Sequence, residues 1–201
     1  AHNPRDGSPT SWSAAIDNIT SGAEENDEKR LFVISAGNVQ PNEFGSSPYP
    51  EANRLHSVES PGQSWNAITV GAYSDDSTIS DPVFHGFTPL AKAGALSPYS
   101  STSSTWDKKW PIKPEVLFNG GNVASNGTDY DSCSDLSLLT TNYQPLRKLF
   151  STIWATSAAT AQAAYFCAQL FSEYPDIWPE TARALLDAGN ESAILHRGYQ
   201  K

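Results

Sequence analysis

Two strand-length runs without a charged residue, LFVIS at 31–35 and AITVGAY at 67–73, restrict the fold more than any other part of the chain. A strand with one wet face alternates polar and apolar side chains, whereas a nearly continuous apolar run suits a strand covered on both faces, as in parallel sheets. Parallel neighbours need long crossovers, which are usually helical. The segment 8–22, SPTSWSAAIDNITSG, predicts such a helix: Ser11 as N-cap, Trp12, Ala15, Ile16 and Ile19 on one face, and Gly22 as the stop. Helix followed by buried strand is the α/β rhythm.

Elsewhere the reading is coarser. The acidic turn at 23–29 is expected to be a solvated loop. Residues 40–65, rich in Pro, Gly, Ser and Asn, read as a long surface excursion. Pro111 and Pro114 confine any strand near WPIKPEVLF to a short edge segment. Residues 119–148 read as a polar insertion without a clear period, opening on the turn NGGN. The run IWATSAATAQAAYFCAQLF at 153–171 predicts a long helix closed by Tyr174 and Pro175, and Pro179 opens a last one. No internal repeat or linker divides the 201 residues, so a single domain is expected.

Composition removes several function classes. The formal charge is -9 and the 13 basic residues are scattered, so no basic stripe exists to follow phosphates, and nucleic acid is not an expected partner. No apolar run reaches the roughly 20 residues of a membrane span, so a soluble chain is expected, with secreted and cytoplasmic locations both open. The absence of Met and the start at Ala1 suggest a piece of a longer chain. Cys133, in a polar stretch, and Cys167, in the helical run, match no metal spacing and read as free thiols. The six Trp have no period and read as core or loop anchors.

Two polar residues stand out against this frame. Asn38 follows Gly37 at the carboxyl end of the first buried run, where open α/β sheets place ligands. Ser157 lies at the head of the small-residue helix, where free N–H groups favour negative charge. A carboxamide N–H and a helix-start N–H form the donor pair of an oxyanion hole, and the serine can supply an attacking oxygen. Each also has a plain structural role open to it. Ser157 could be a helix N-cap, and Asn38 a turn former tolerant of left-handed backbone.

The order of motifs adds to this pair. SAGN at 35–38, ITVGAY at 68–73, a YSS turn at 99–101, KPEV at 113–116 and ATSAATA at 155–161 resemble, in sequence order, the motifs of the subtilisin-like serine proteases, the subtilases of peptidase family S8. The resemblance implies an α/β fold of three layers, with a mostly parallel sheet flanked by helices. It makes Ser157 the nucleophile of a serine endopeptidase and Asn38 the side-chain oxyanion donor. Ser35, Ala36 and Gly37 would line one wall of the pocket for the substrate side chain before the scissile bond. Three positions depart from the family pattern: Ala155 and Ala161 stand for Gly and Pro, and Glu115 for Asp.

A larger departure is that the family's catalytic Asp and His lie well upstream of the oxyanion Asn, and His2 is too near Asn38 to be that His. The chain therefore resembles the second half of a subtilase catalytic domain, with the missing N-terminal half as a partner and a polypeptide as substrate. His56, His85 and His196 read as solvated or structural. Family members often bind structural calcium, but no segment here has a calcium-ligand pattern, so no cofactor and no metal site is assigned. Two rival readings are a catalytically inactive binding or scaffold module on the same fold, and an α/β-hydrolase with ATSAA as its nucleophile elbow. Ala in place of both elbow glycines, and the short chain after Ser157, argue against the second.

Overall fold

In a computed structural model, which describes residues 5–23, 28–44 and 47–189, the two apolar runs are neighbouring parallel strands. In chain order the helices are α1 (Ser11–Ser21), α2 (Glu51–Leu55), α3 (Ala155–Glu173) and α4 (Pro179–Gly189). The strands are β1 (Val33–Ser35), β2 (Ile68–Tyr73), β3 (Thr88–Pro89), β4 (Val116–Asn119), β5 (Val123–Ser125), β6 (Tyr130–Ser132), β7 (Leu138–Thr141) and β8 (Phe150–Ile153). The main sheet has the order β1-β2-β4, parallel throughout, with Val33 opposite Ile68 and Val70 opposite Val116. Mixed α/β architecture with a parallel sheet flanked by helices is thus the observed class.

Burial follows position in the sheet. Ile68 to Ala72 of β2 are buried, as a central strand requires, and β4 is the short edge strand that Pro111 and Pro114 allow. The first run was expected to be covered on both faces, but Leu31 to Ser35 are only half-buried. β1 has one hydrogen-bonded neighbour among the described residues, so it lacks the cover of a central strand.

α3 lies across all three strands and puts Ala159, Ala163 and Cys167 against Ile68, Val70, Ala72 and Val116, with Leu186 of α4 completing the cluster. Fully burying one such aliphatic side chain is worth roughly 1.5–3 kcal/mol. Gly120, after β4, permits the start of α3 to approach the sheet closely: a Cβ there would fall 2.4 Å from Ala72 Cβ and 2.9 Å from Ala155 O. Both thiols are free and buried. Cys133 lies in a loop, as read from the sequence, and is buried there against Ala124 and Leu136.

The KPEV segment fastens this core from below. The ammonium of Lys113 is wholly buried and donates to Ala67 O at 3.1 Å and to the Glu115 carboxylate, which Arg183 of α4 reaches from the other side at 3.2 Å. Burial pushes the Lys113 ammonium below its ordinary range while the facing carboxylate pulls it back up. Thr69 N–H of β2 donates to the other Glu115 oxygen at 2.9 Å, so one glutamate joins β2, β4 and α4.

Several expectations need correction. α1 is capped by Thr10, not Ser11, through a reciprocal Thr10–Ser13 pair. Its buried face is Ser13, Ile16 and Thr20, leaving Trp12 exposed. Asp17 explains the rotation: its carboxylate accepts from Ser64 Oγ at 2.6 Å and Asn66 N–H at 2.8 Å, tying α1 to the loop before β2. Residues 40–65 are no mere surface excursion, because Phe44, Ala52 and Val58 are buried and Phe44 and Ala52 pack with Val39 and Tyr99. The polar insertion is folded as well. β3, β5 and β6 form an antiparallel sheet and β7 pairs with β8. Trp12, Trp65, Trp154 and Trp178 are on the surface rather than in the core. Among the described residues no helix is long and apolar enough to cross a membrane.

Candidate active site

The chain leaves β1 into a short clamp. Ala36 N–H still reaches β2 at Val70 O (2.9 Å), after which 37–39 run antiparallel to 99–101: Val39 N–H donates to Tyr99 O at 2.9 Å and Ser101 N–H to Gly37 O at 3.2 Å. The YSS strip is itself held from behind. Ala72 N–H donates to Ser100 Oγ at 3.0 Å, and the buried carboxamide of Asn53 donates to the carbonyls of Ser97, Pro98 and Ser100. Tyr99 is buried with its hydroxyl 3.0 Å from Ser132 Oγ, and burial pushes its phenol up to about 12, so it stays neutral at any working pH. Gly37 has φ 98, a left-handed conformation that disfavours any side chain.

The second half of the site comes from the turn between β8 and α3. Trp154 is the N-cap residue and its side chain makes no capping bond; Ala155 follows with φ 69, and its N–H donates to Gly120 O at 2.7 Å. Thr156 is fully buried, and its N–H (3.0 Å) and Oγ1 (2.6 Å) both donate to Asn38 Oδ1. Two donors on the oxygen fix the orientation of the carboxamide and leave Nδ2 as its free end, without a partner among the described residues. Ser157 comes next. It is exposed between buried Thr156 and Ala158, and its Oγ bonds no described residue.

Ser157 and Asn38, 119 positions apart in the chain, are therefore one residue from direct contact through Thr156. Ser157 is the third residue of α3, so the capping role open to it in the sequence is not the one it has. Its N–H lies in the first turn and has no carbonyl four residues back inside the helix. Ser35 is half-buried at the end of β1, and Ala36 and Gly37 are buried beside Asn38. Among the histidines, His56 Nδ1 lies 3.0 Å from Ser101 Oγ and its Nε2 3.5 Å from Glu43 Oε1. Ser101 is wholly buried, so this trio exposes no nucleophile. His85 is exposed in a loop, and His2 and His196 lie outside the described residues. No group of three or more His, Cys, Asp or Glu among the described residues is placed to hold a metal ion.

Two residues at this site were not singled out in the sequence: Thr156, the clamp, which lies within the ATSAATA motif, and Glu59, whose side chain lies over Gly37. The left-handed backbone at Ala155 supplies the reason for the glycine that the family pattern expects there. An L residue in that conformation costs roughly 1–2 kcal/mol, of which a glycine's extra freedom in the unfolded chain takes back about 0.4–1 kcal/mol. Ala155→Gly is expected to stabilise the fold by up to about 1.6 kcal/mol, read as a higher urea midpoint; a lower midpoint would mean that the methyl's packing outweighs its strain.

The family model for the subtilase family matches residues 3–193. No curated protein matches the chain.

Proposed function

This chain belongs to the subtilase family, a family of serine peptidases, and from that premise we propose that it is a serine endopeptidase in which Ser157 is the nucleophile and Asn38 an oxyanion donor. The observation that carries the reading is the pair of bonds from Thr156 to Asn38 Oδ1. They turn the carboxamide so that its donor end has no partner among the described residues, beside an exposed serine whose hydroxyl bonds none of them. A side chain serving only as a turn former would not need its oxygen held from the helix that carries the serine.

In the proposed reaction a base takes the proton of Ser157 Oγ as the oxygen attacks a peptide carbonyl carbon. Asn38 Nδ2 and the Ser157 N–H donate to the oxygen that becomes negative; the C–N bond then breaks, the base returns the proton to the leaving amine, and water releases the acyl group. No described histidine bonds Ser157, so we assign the base and its orienting carboxylate to chain outside the described residues. Polypeptide is the proposed substrate, with no cofactor in the acyl transfer.

A fluorophosphonate probe, which reacts with activated serines, tests the assignment on the full-length protein. After labelling and tryptic digestion the adduct is expected on Ser157, within the peptide 149–183. An adduct on another serine, or none under conditions that label a control serine hydrolase, would remove Ser157 from this role.

A further inference from the structure

We propose that Glu59 selects substrates with a cationic side chain, Lys or Arg, at the residue that supplies the scissile carbonyl. The proposal rests on the peptidase reading above and adds a substrate class to it. The wall formed by Ser35, Ala36 and Gly37 is backed by the residue that bonds it: Glu59 N–H donates to Ala36 O at 2.8 Å, and Gly62 N–H holds Glu59 O at 2.7 Å. The Glu59 side chain then folds over Gly37. A Cβ on Gly37 would lie 2.6 Å from Glu59 Cγ and 2.7 Å from Cδ, so the absence of a side chain at 37 is what lets the carboxyl group rest there. In the peptidase reading the side chain of the residue that supplies the scissile carbonyl lies along this wall, and Glu59 lies over the wall at Gly37.

The carboxylate is available. Glu59 is exposed and makes no side-chain hydrogen bond or ion pair among the described residues. It lines a cavity of about 350 Å³ that also takes in Val39, on the far side of Asn38 from Gly37. That volume falls in the range of small-ligand pockets.

Other charges line the same cavity and decide the sign. Glu43 is already engaged, accepting from Gln40 N–H at 2.6 Å and facing His56 at 3.5 Å. Arg5 is the competing cation. Its backbone is held at the 105–107 turn, where Thr105 Oγ1 donates to Arg5 O at 3.1 Å, and its guanidinium forms no ion pair with Glu59. Two carboxylates therefore face one guanidinium, and the unpaired carboxylate is the group in contact with the substrate wall. A lysine entering there meets a partner, while an acidic side chain is repelled by Glu59.

The test compares fluorogenic peptides that differ only in this residue, Lys, Gln, Leu or Glu, on the full-length protein and its Glu59→Gln and Glu59→Lys variants. Lys is expected to exceed Gln about tenfold or more in kcat/KM, with the advantage shrinking as salt is raised. It should disappear in Glu59→Gln, and Glu59→Lys should favour the Glu peptide. Urea midpoints close to that of the parent confirm that the variants are folded, and the salt dependence in the parent protein tests the charge without any variant. Cleavage of all four peptides at similar rates overturns the proposal, as does a Lys preference that survives in Glu59→Gln, or a Glu preference in the parent, which would give the pocket to Arg5. No cleavage of any peptide together with no adduct on Ser157 is a different failure, that of the peptidase reading, and removes this proposal with it.

Discussion

Ser157→Ala is expected to lower turnover about 10⁶-fold while leaving the fold as stable as before, and the contrast between the two numbers is what identifies the residue. The magnitude is that of the corresponding change in subtilisin, itself a member of this family. The stability half follows from the structure of this chain. Ser157 is exposed, is not the N-cap of α3, and its Oγ bonds no described residue, so removing the oxygen breaks no hydrogen bond among the described residues. Substitutions of that kind usually stay within about 0.5 kcal/mol. A capping serine would behave in the opposite way, losing about 0.5–2 kcal/mol of stability on change to Ala and none of the chemistry. Turnover on a protein substrate and urea midpoints of parent and variant, measured side by side, separate the two. Undiminished proteolysis by Ser157→Ala would mean that another group is the nucleophile.

The parts of the fold that could be read from the sequence are those with local or periodic causes. β2 is evident because a central parallel strand must be apolar on both faces, and the limits of α3 and α4 because Pro175 and Pro179 act through their own backbone. Gly22 ends α1 in the left-handed conformation expected of it. What escaped was set by distant partners. The buried face of α1 is turned by Asp17 reaching Ser64 and Asn66, 47 and 49 residues away, and no helical periodicity contains that information. Residues 40–65 look like surface by composition, yet the fully buried Asn53 makes them a support for the YSS strip by bonding three carbonyls there. One local signal does lie in the polar insertion: Asn126-Gly127, with Gly127 at φ 92, opens the four-residue turn 126–129 that joins β5 to β6, and Asn-Gly is a strong hairpin indicator.

At the site the same division holds. Ser157 and Asn38 could be named because each sits at the end of an element with a recognisable pattern. Thr156 and Glu59 could not, because their importance comes from what they touch. Thr156 reads as one more small residue in ATSAATA, and only its two bonds to Asn38 show that it joins the halves of the site. Glu59 lies in the stretch that composition marks as a surface excursion, and nothing in its neighbours along the chain shows that Gly37 lies beneath it.

Because of Thr156, Asn38→Ala is expected to have two effects, and a second variant is needed to separate them. Loss of the Nδ2 donor should lower kcat about 10²–10³-fold with KM little changed, since the bond forms mainly in the transition state; that size again is the one known for the equivalent donor in subtilisin. Loss of Oδ1 leaves the buried Thr156 N–H without its acceptor and the Thr156 hydroxyl with only the longer bond to Gly37 O at 3.3 Å, at roughly 1–3 kcal/mol of stability for a buried polar group left unpaired. A fall in activity of Asn38→Ala alone could therefore reflect a loosened helix start. Asn38→Asp keeps an oxygen for Thr156 and removes only the donor. Its urea midpoint should stay closer to the parent's than that of the Ala variant, while its kcat falls at least as far, because an ionised carboxylate beside a developing oxyanion repels it. Measuring kcat, KM and urea midpoints for both variants tests the division directly. If Asn38→Asp kept the parent's turnover, Asn38 would be a structural clamp for α3 and the oxyanion would have to be held by other donors.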